Sequence, residues 1–216
     1  MNSNLLTLRQ EWQSAWQSTR FRIMLLGSLI AITAILLTFP LFFQTIEKRE
    51  GIVINDWLLL RLPAYDVSVP IFFIIWCTVL FTLFRCLQNP DRLLILSWAY
   101  LFLCLTRMVT ISLVTLDPPT HLVLLADPLS NFFYGRKFVT RDLFFSGHTS
   151  TLFLMSLCLP GRIDKMIAIL ATIAVGVLLL IQHVHYTLDV LTAPLFAWLV
   201  WRLAIKVNQK ASPNWK

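Results

Sequence analysis

The run IMLLGSLIAITAILLTFPLFFQTI, from Ile23 to Ile46, contains no charged residue and decides the fold class. A helix needs about 20 apolar residues to cross the hydrocarbon core of a membrane, and this run is long enough. The whole chain is 57% hydrophobic and only 13% charged, whereas a soluble domain carries about 25% charged residues. We therefore expect an integral membrane protein.

Apolar runs of this kind recur along the chain and predict six transmembrane helices. Lipid offers backbone groups no hydrogen-bond partner, so each run is expected to be helical. The predicted spans cover residues 23–46, 67–84, 93–116, 143–161, 166–182 and 190–205. The predicted fold class is therefore all-α, with one six-helix membrane domain over residues 23–205 and a cytoplasmic tail over residues 206–216.

An amphipathic pattern precedes the first span. Leu5, Leu8, Trp12 and Trp16 recur at spacings of three and four residues, with polar residues between them. This spacing places them on one face of a helix. It predicts that residues 1–22 form a cytoplasmic amphipathic segment whose helix lies on the membrane surface. The alternative is a frayed polar tail.

The distribution of positive charge predicts the orientation, because cytoplasmic loops carry an excess of Lys and Arg. With the N-terminus inside, eleven of the 18 Lys and Arg residues fall in inner segments and six in outer ones, while Arg107 lies inside a span. Both termini are thus expected to be cytoplasmic. The net charge of +7 then reflects orientation, and we expect no nucleic-acid partner. The small size and lack of organelle signals favour a bacterial inner membrane.

Polar residues interrupt the apolar pattern in the stretch HVHYTLD, residues 183–189. In a helix His185 and Asp189 are i,i+4 neighbours. An aspartate there accepts a hydrogen bond from one imidazole nitrogen, which leaves the other nitrogen free to attack. His183 points the opposite way on a helix and ranks second as a candidate.

A second interruption is RDLFFSGHTSTLFL, residues 141–154. Gly147 allows the backbone to approach a ligand closely, and the free N–H groups at a helix start attract an anion. Ser146 and Thr149 can donate hydroxyl bonds to a phosphate, and His148 can protonate the leaving oxygen as a general acid. Both motifs fall at the outer ends of predicted spans, so we expect one site facing the periplasmic or lumenal side.

These two motifs resemble the third and fourth motifs of the sphingomyelin synthase family, a branch of the type 2 phosphatidic acid phosphatase superfamily. The similarity covers roughly residues 93–205. The stretch LTRMVTISLVTLDPPTH, residues 105–121, resembles the second motif of that family and contains Arg107. The simple lipid phosphatases of the superfamily carry an Arg six residues before the nucleophile and a K-x6-R-P string. Here that position is Leu179, and no such string occurs.

The resemblance implies a catalytic triad of His148, His185 and Asp189. It also implies nucleophilic attack by His185, a phosphohistidine intermediate and a supporting role for Asp142, which lies shortly before SGHT. The predicted topology, six spans with both termini in the cytosol, is also similar to that of the family. Tyr186, which lies in the stretch HVHYTLD, is expected to support the site.

We therefore expect a membrane enzyme that cleaves or transfers the phosphate-containing head group of a lipid. The expected activity is that of a sphingomyelin synthase-like phosphotransferase or a phospholipase C-type enzyme. The substrate is a membrane phospholipid and the acceptor a lipid alcohol, diacylglycerol or ceramide, or else water. One alternative is a simple lipid phosphatase that releases inorganic phosphate from a monoester. Another is a non-catalytic lipid-binding or transport protein.

The basic residues near the motifs are candidates for binding phosphate. Arg107 can hold a phosphate by bidentate bonding, or it can snorkel or pair with a loop acid. Arg141 follows Arg136 and Lys137 in the same predicted outer loop, where a solvated basic patch is the alternative.

Three other interpretations of the histidines stay open. A lone intramembrane histidine such as His148 is often a helix–helix hydrogen-bond donor. The pair His183 and His185 could ligate a metal, and His148 with His185 could hold a haem. The chain has only four histidines and no carboxylate-rich helices, so we expect neither a metal nor another cofactor.

Overall fold

A computed structural model describes residues 2–125 and 139–209, with side chains from residue 8 onward. The predicted basic pair Arg136 and Lys137 lies outside these residues, as does the tail beyond residue 209. The described helices are α1 (Asn2–Gln17), α2 (Thr19–Ile46), α3 (Ser68–Leu87), α4 (Pro90–Leu113), α5 (Gly147–Cys158), α6 (Arg162–Ile181) and α7 (Thr187–Asn208). A single 3₁₀ turn covers Leu59–Arg61.

The predicted all-α class is confirmed for the described residues, in which the only β pairing is an isolated bridge between Ile52 and Leu116. Five helices, α2, α3, α4, α6 and α7, are long and apolar enough to cross a membrane. They match five of the six predicted spans to within a few residues at each end. Large apolar side chains stay exposed on their outer faces, such as Leu37 and Val69, as expected of surfaces that contact lipid.

The prediction of exactly six spanning helices is not confirmed, because the fourth predicted span, residues 143–161, is helical only over Gly147–Cys158. Twelve residues reach about 18 Å, short of the ~30 Å hydrocarbon core. At the N-terminal side the chain is not helical: it bends at Phe144, whose φ is 105°, and at Phe145, and Ser146 is extended. At the C-terminal side Leu159 is extended, as the residue before a proline usually is.

The short helix α5 lies among α3, α4, α6 and α7, and this position explains its apolar composition. Leu152 and Leu154 are fully buried there, in one core with Leu103 of α4, Val175 of α6 and Ala197 of α7. The apolar side chains of α5 therefore pack against protein. The start of this helix is thereby fixed among the helices that carry the other candidate residues.

The predicted N-terminal helix is present as α1, which ends at Gln17. The Trp12 indole N–H donates to the Leu87 carbonyl oxygen at 2.9 Å, and its ring packs edge-on against Phe21 at 6.4 Å. These contacts are those of a docked helix and not of a frayed tail. Its place on the membrane surface stays a prediction.

Two segments without long helices, residues 47–67 and 114–125, lie at the end of the bundle where α5 and α7 begin. We call them the covering segments. They contact each other through backbone bonds between Ile52 and the 115–117 stretch. At the opposite end Arg85 of α3 pairs with Asp164 of α6 at 2.7 Å.

Candidate active site

The two sequence motifs meet through their backbones at the start of α5. The N–H of Ser146 donates to the carbonyl oxygen of Asp189 at 3.0 Å. Ser146 is the N-cap of α5, since its hydroxyl accepts a bond from the N–H of Thr149 at 3.3 Å, as N-cap serines do. The hydroxyl of Thr149 lies 3.1 Å from the same oxygen. These partners orient both hydroxyls within the protein, and their predicted phosphate contact stays a prediction.

Gly147 occupies the first turn of α5, against the guanidinium of Arg107. A Cβ atom at this position would lie 2.6 Å from Arg107 Cζ and 2.9 Å from each terminal guanidinium nitrogen. A side chain at this position would therefore require the guanidinium to move. The group that lies against Gly147 is the guanidinium of Arg107 from α4, and the predicted close approach of a ligand stays a prediction.

Arg107 is buried and fixed by contacts on several sides. One terminal nitrogen pairs with the carboxylate of Asp142 and the other donates to the carbonyl oxygen of Phe145. The guanidinium also lies 5.2 Å from the centre of the Phe145 ring, which stacks on Phe196 of α7 at 4.4 Å. Arg107 thus pairs with a loop acid, which was one of the two alternatives for it.

The position of Arg107 has an electrostatic consequence. Cations are favoured at the C-terminus of a helix and anions at its N-terminus. Arg107 lies at the N-terminus of α5, so its charge adds to the positive end of the helix dipole. Asp142 supplies one compensating negative charge. Positive potential at the N-terminus of a helix favours an anionic ligand.

His185 and Asp189 contact each other as predicted from their i,i+4 spacing, but only Asp189 is helical, since α7 begins at Thr187 and His185 lies in the turn before it. His185 Nδ1 lies 3.3 Å from Asp189 Oδ2, and both side chains are nearly inaccessible to solvent. A carboxylate only accepts, so we assign the proton to Nδ1, which leaves Nε2 with the lone pair in the neutral ring. The same Oδ2 accepts the N–H of Tyr186 at 3.1 Å.

The other oxygen of Asp189, Oδ1, is buried and has no hydrogen-bond partner among the described residues. A buried carboxylate without full solvation is costly unless a positive group lies nearby. The imidazole of His185 is the adjacent group that can become positive. Asp189 is therefore placed to stabilise a cationic form of that ring.

His148 faces His185 across the junction of the two motifs. Their ring centres are 6.5 Å apart with an angle of 63° between the planes. On its other side His148 packs edge-on against Phe72 of α3, at 6.0 Å. The structure thus brings together His148, His185 and Asp189, which are distant in sequence.

Tyr186 is fully buried and connects α7 to both covering segments. Its hydroxyl donates to the carbonyl oxygen of Asp117 at 2.8 Å and accepts the N–H of Ile54 at 3.1 Å. The supporting role predicted for Tyr186 is consistent with these bonds. They place it beside His185 as a structural link rather than as a group that faces His148.

Asp56 was not singled out by sequence reasoning, yet it holds the first turn of α7. Its carboxylate accepts the backbone N–H of Thr187 at 2.6 Å and the hydroxyl of Thr187 at 3.0 Å. Burial raises the pKa of the Asp56 carboxyl, but the bonds from Thr187, Leu59 and Leu58 outweigh it and lower the pKa below its usual value of 3.8. A lone Asp in a loop offers no sequence signal for this role.

Gln182 is a second residue that sequence reasoning missed. Its side chain is fully buried; it accepts the N–H of Val67 at 3.2 Å and donates to the Ser68 hydroxyl at 2.8 Å and the Leu124 carbonyl at 3.2 Å. It thus connects the end of α6 to both covering segments. A polar residue that closes a long apolar run is a signal that could have identified it.

His183 lies in the turn between α6 and α7, in the left-handed region at a φ of 56°. The N–H of Val184 bonds the Leu179 carbonyl and the N–H of His183 bonds the Leu180 carbonyl. This is the Schellman pattern, whose left-handed residue is usually glycine, and a side chain there costs about 1–2 kcal/mol. The His183 ring is buried, and its two nitrogens lie against backbone carbonyl oxygens of Thr120 and Leu62.

The side chain of Arg141 is bonded to other residues of the protein. It pairs with Asp117 at 2.7 Å and donates to the carbonyl oxygen of Glu47. The Glu47 carboxylate in turn accepts the N–H groups of Thr140 and Arg141, each at 2.7 Å. Arg141 thus anchors the strand-like approach to α5, and its predicted contact with phosphate stays a prediction.

The histidines of the site are also possible metal ligands. Among residues 2–125 and 139–209, no cluster of three or more His, Cys, Asp and Glu side chains has the arrangement to hold a metal ion. His183 and His185 do not act as an H-x-H pair within one shared site, since the His183 ring contacts backbone carbonyl oxygens. The described site brings together two imidazoles and a carboxylate, with the buried guanidinium of Arg107 against Gly147.

Comparison with known protein families matches residues 141–206 to the family described as PAP2 superfamily C-terminal. The matched range contains His148, His185 and Asp189 and stops short of Arg107. Among curated proteins, none matches this chain. The family match supports the type 2 phosphatidic acid phosphatase superfamily for this part of the chain, and with it an integral membrane enzyme of the lipid phosphatase or phosphotransferase type.

Proposed function

We propose that this protein transfers or hydrolyses the phosphate-containing head group of a membrane lipid through a phosphohistidine on His185. The observation that carries the proposal is the facing pair His148 and His185, 6.5 Å apart between ring centres, with Asp189 behind His185 at 3.3 Å. A tetrahedral phosphoryl group between the two rings would have a nucleophile on one side and a proton donor on the other.

In the first step Nε2 of His185 attacks phosphorus, and the bond between phosphorus and the leaving oxygen breaks. His148, protonated, gives its proton to that oxygen, and Asp189 stabilises the imidazolium character that develops on His185. In the second step water or a lipid alcohol attacks the phosphohistidine and gives its proton to His148. This restores both histidines for the next turnover.

Arg107 and the start of α5 supply the electrostatic part of the proposal. The guanidinium lies against Gly147, one residue from His148, and would lie beside the oxygens of a phosphate bound between the two imidazoles. Preorganised positive charge of this kind stabilises charge that develops in the transition state. Positioning and this charge can supply catalysis without a metal ion.

Within the superfamily we favour the sphingomyelin synthase-like activity, or a phospholipase C-type hydrolysis, over a simple phosphatase. A phosphodiester carries one negative charge, whereas a phosphomonoester carries nearly two at neutral pH. Asp142 already offsets the charge of Arg107 in the described part of the site. The remaining positive charge fits a singly charged phosphodiester better than a doubly charged monoester.

The test is an assay of the purified protein on mixed lipid vesicles that contain phosphatidylcholine, phosphatidylethanolamine, phosphatidylglycerol and phosphatidic acid. Products are measured without an acceptor, with diacylglycerol and with ceramide. A new phospholipid formed only with an acceptor identifies a transferase, and a released phosphorylated head group identifies a phospholipase C-type enzyme. Inorganic phosphate from phosphatidic acid alone identifies the simple phosphatase, the second candidate.

Two outcomes of the same assay would contradict the enzyme proposal. Lipid binding or movement between leaflets without any product would favour the non-catalytic lipid-binding or transport function. Complete loss of turnover in EDTA, restored by one added divalent ion, would favour a metal site at the histidines. We expect turnover to survive the chelator.

A further inference from the structure

His183 has a ring contact that the proposed chemistry does not use. Its Nδ1 lies 3.1 Å from the carbonyl oxygen of Thr120, and its Nε2 lies 3.1 Å from the carbonyl oxygen of Leu62. The ring is only 3% exposed. It therefore spans the two covering segments, with one nitrogen on each.

The number of protons on the ring follows from its partners. A carbonyl oxygen only accepts hydrogen bonds, so each of the two ring nitrogens must donate. A neutral imidazole carries one N–H and can make only one of these bonds. Both contacts are satisfied at once only by the imidazolium, and a neutral His183 would place a nitrogen lone pair against a carbonyl oxygen.

The backbone at His183 adds a second, independent observation. The residue holds the left-handed position of a helix-ending turn, a place for which glycine is the least strained residue. A histidine there costs stability unless its side chain makes compensating contacts. The two carbonyl contacts are the compensation that the described residues offer.

The contact joins elements that surround the candidate nucleophile. Leu62 follows the 3₁₀ turn of the first covering segment, Thr120 lies in the second, and His185 comes two residues after His183 in the same turn. The neighbouring bonds of Gln182 and Tyr186 to these segments involve an amide and a phenol. Of these three side chains, only the imidazole of His183 has two nitrogens whose ability to donate depends on how many protons the ring carries.

Other charged and titratable groups lie on the same elements. In the first covering segment Arg61 keeps its charge throughout. In the same segment the backbone N–H and hydroxyl of Ser68 lower the pKa of the Asp66 carboxyl, so Asp66 stays ionised. The second covering segment carries His121, next to Thr120, and α7 carries the His185–Asp189 pair. A test must therefore separate His183 from the other histidines.

We propose that His183 is a positioning residue that, as an imidazolium, fastens both covering segments to the turn that presents His185. Loss of its proton breaks one of the two bonds and loosens the segments over the site. The link to catalysis rests on the proposed role of His185, but the protonation and the fastening do not. They are measured without any substrate.

The first measurement is the ¹⁵N spectrum of the histidine-labelled protein in detergent or nanodiscs. The chain has only four histidines, so single substitutions assign the signals. At about pH 6 we expect that, among the rings with both nitrogens protonated, one signal disappears in His183→Gly and remains in His121→Gly. A His183 ring with only one protonated nitrogen in the folded protein would overturn the proposal.

The second measurement is hydrogen exchange of the covering segments, corrected for the intrinsic effect of pH. The N–H groups of Tyr65 and Val123 bond to Ile181 and Gln182 carbonyl oxygens and report on the closed arrangement. Between about pH 6 and about pH 9 their protection should fall about tenfold or more in the wild type, the effect of losing one charged hydrogen bond. In His183→Gly it should be low at both pH values.

The control is His121→Gly. His121 also has a left-handed backbone, at a φ of 64°, and it is exposed in the same covering segment. Its replacement relieves the same kind of strain without removing the contacts of His183, so the pH dependence of protection should stay. Equal protection at both pH values in the wild type, or unchanged protection in His183→Gly, would contradict the proposal even if the protein proves inactive.

Discussion

The N–H of Ser146 donates to the carbonyl oxygen of Asp189 at 3.0 Å. This bond ties the residue that starts α5 to the residue that orients His185. It fixes the relative position of two helix starts, one carrying the candidate acid His148 and the other the candidate nucleophile. This link between the two helix starts is a backbone bond, so it does not depend on the side chains of His148, His185 or Asp189.

Replacement of the nucleophile should abolish activity. We expect His185→Ala to reduce turnover by about four orders of magnitude or more, because it removes the covalent route. Asp189→Asn should retain weak activity, about a hundred- to ten-thousand-fold below the wild type, since the ring keeps its place but loses its proper tautomer. Turnover of any native substrate by purified variants, with thermal unfolding as the check on folding, measures this.

The matched control for those variants is Leu188→Ala, which lies on the same turn of α7 with a side chain exposed away from the core. It should leave turnover unchanged. A wild-type rate in His185→Ala would exclude the phosphohistidine mechanism, whereas equal losses in all three variants would indicate damage to the start of α7.

Addition of one methyl group at Gly147 should separate the site from its arginine. The Cβ of Gly147→Ala would meet Arg107 Cζ at 2.6 Å, so the guanidinium must move. A displacement of about 1 Å near a reacting group can cost about a hundredfold in rate, and we expect a loss of that size in kcat. Steady-state kinetics on the identified substrate measures the loss.

Gly27→Ala is the control for this substitution, because nothing lies within 4 Å of a Cβ at that position of α2. It should leave kcat unchanged and stabilise the helix by about 1 kcal/mol. Wild-type kcat in Gly147→Ala would mean that Arg107 does not act on the substrate from its observed position.

The charge of Asp142 should influence the choice between phosphodiester and phosphomonoester. Asp142→Asn keeps the shape of the side chain and leaves the charge of Arg107 uncompensated. A monoester carries about one more negative charge than a diester, so its relative rate should rise about tenfold or more. The ratio of kcat/KM for phosphatidic acid to that for a phosphodiester lipid measures the change.

Asp164→Asn is the control for Asp142→Asn, since Asp164 also pairs with an arginine, Arg85, but at the opposite end of the bundle. The substrate ratio should stay the same in that variant. If Asp142→Asn leaves the ratio unchanged as well, the electrostatic argument for a diester substrate fails.

Much of the fold and the site was predictable from sequence, because each motif is local. The spacing of His185 and Asp189 defines a pair on one helix face, and the glycine of the SGHT motif indicates a close approach. The group that approaches Gly147 was not predictable from that motif, since Arg107 comes from another helix and meets it only through tertiary packing.

The fourth span shows where pattern reasoning fails. A short apolar run such as Leu143 to Phe145 has the same sequence pattern whether it continues a helix or forms a buried non-helical segment. The hydropathy of α5 reflects packing against protein rather than lipid, and this distinction depends on the neighbouring helices. Asp56 was missed for a related reason, because its partner Thr187 lies 131 residues away.

Acid should weaken the start of α7 through Asp56. The folded-state pKa of this carboxyl is below its usual value of 3.8, so its stabilising effect is complete above the unfolded value and is lost as pH falls through the folded value. Asp56→Asn removes this part of the acid sensitivity, while Asp56→Ala should cost about 1 kcal/mol at neutral pH, as for loss of a helix cap. Thermal unfolding between about pH 3 and about pH 7 measures both. Identical acid sensitivity in Asp56→Asn and the wild type would contradict the role of this carboxylate.

The site should open to the periplasmic or lumenal side of the membrane. The prediction comes from the excess of Lys and Arg in the inner segments, and residues at opposite ends of the bundle allow a direct test. Asn55 is exposed in the covering segment next to Asp56, and Lys165 is exposed near the start of α6. In a variant without the four native cysteines, of which Cys77 is exposed, Asn55→Cys should react with an impermeant thiol reagent in intact cells. Lys165→Cys should react only after lysis.

Because Asp56 bonds directly to the first turn of α7, the label at position 55 reports the side on which His185 lies. The reverse labelling pattern would place the chemistry at the cytoplasmic leaflet, where a different pool of lipid substrates and acceptors would reach the histidines.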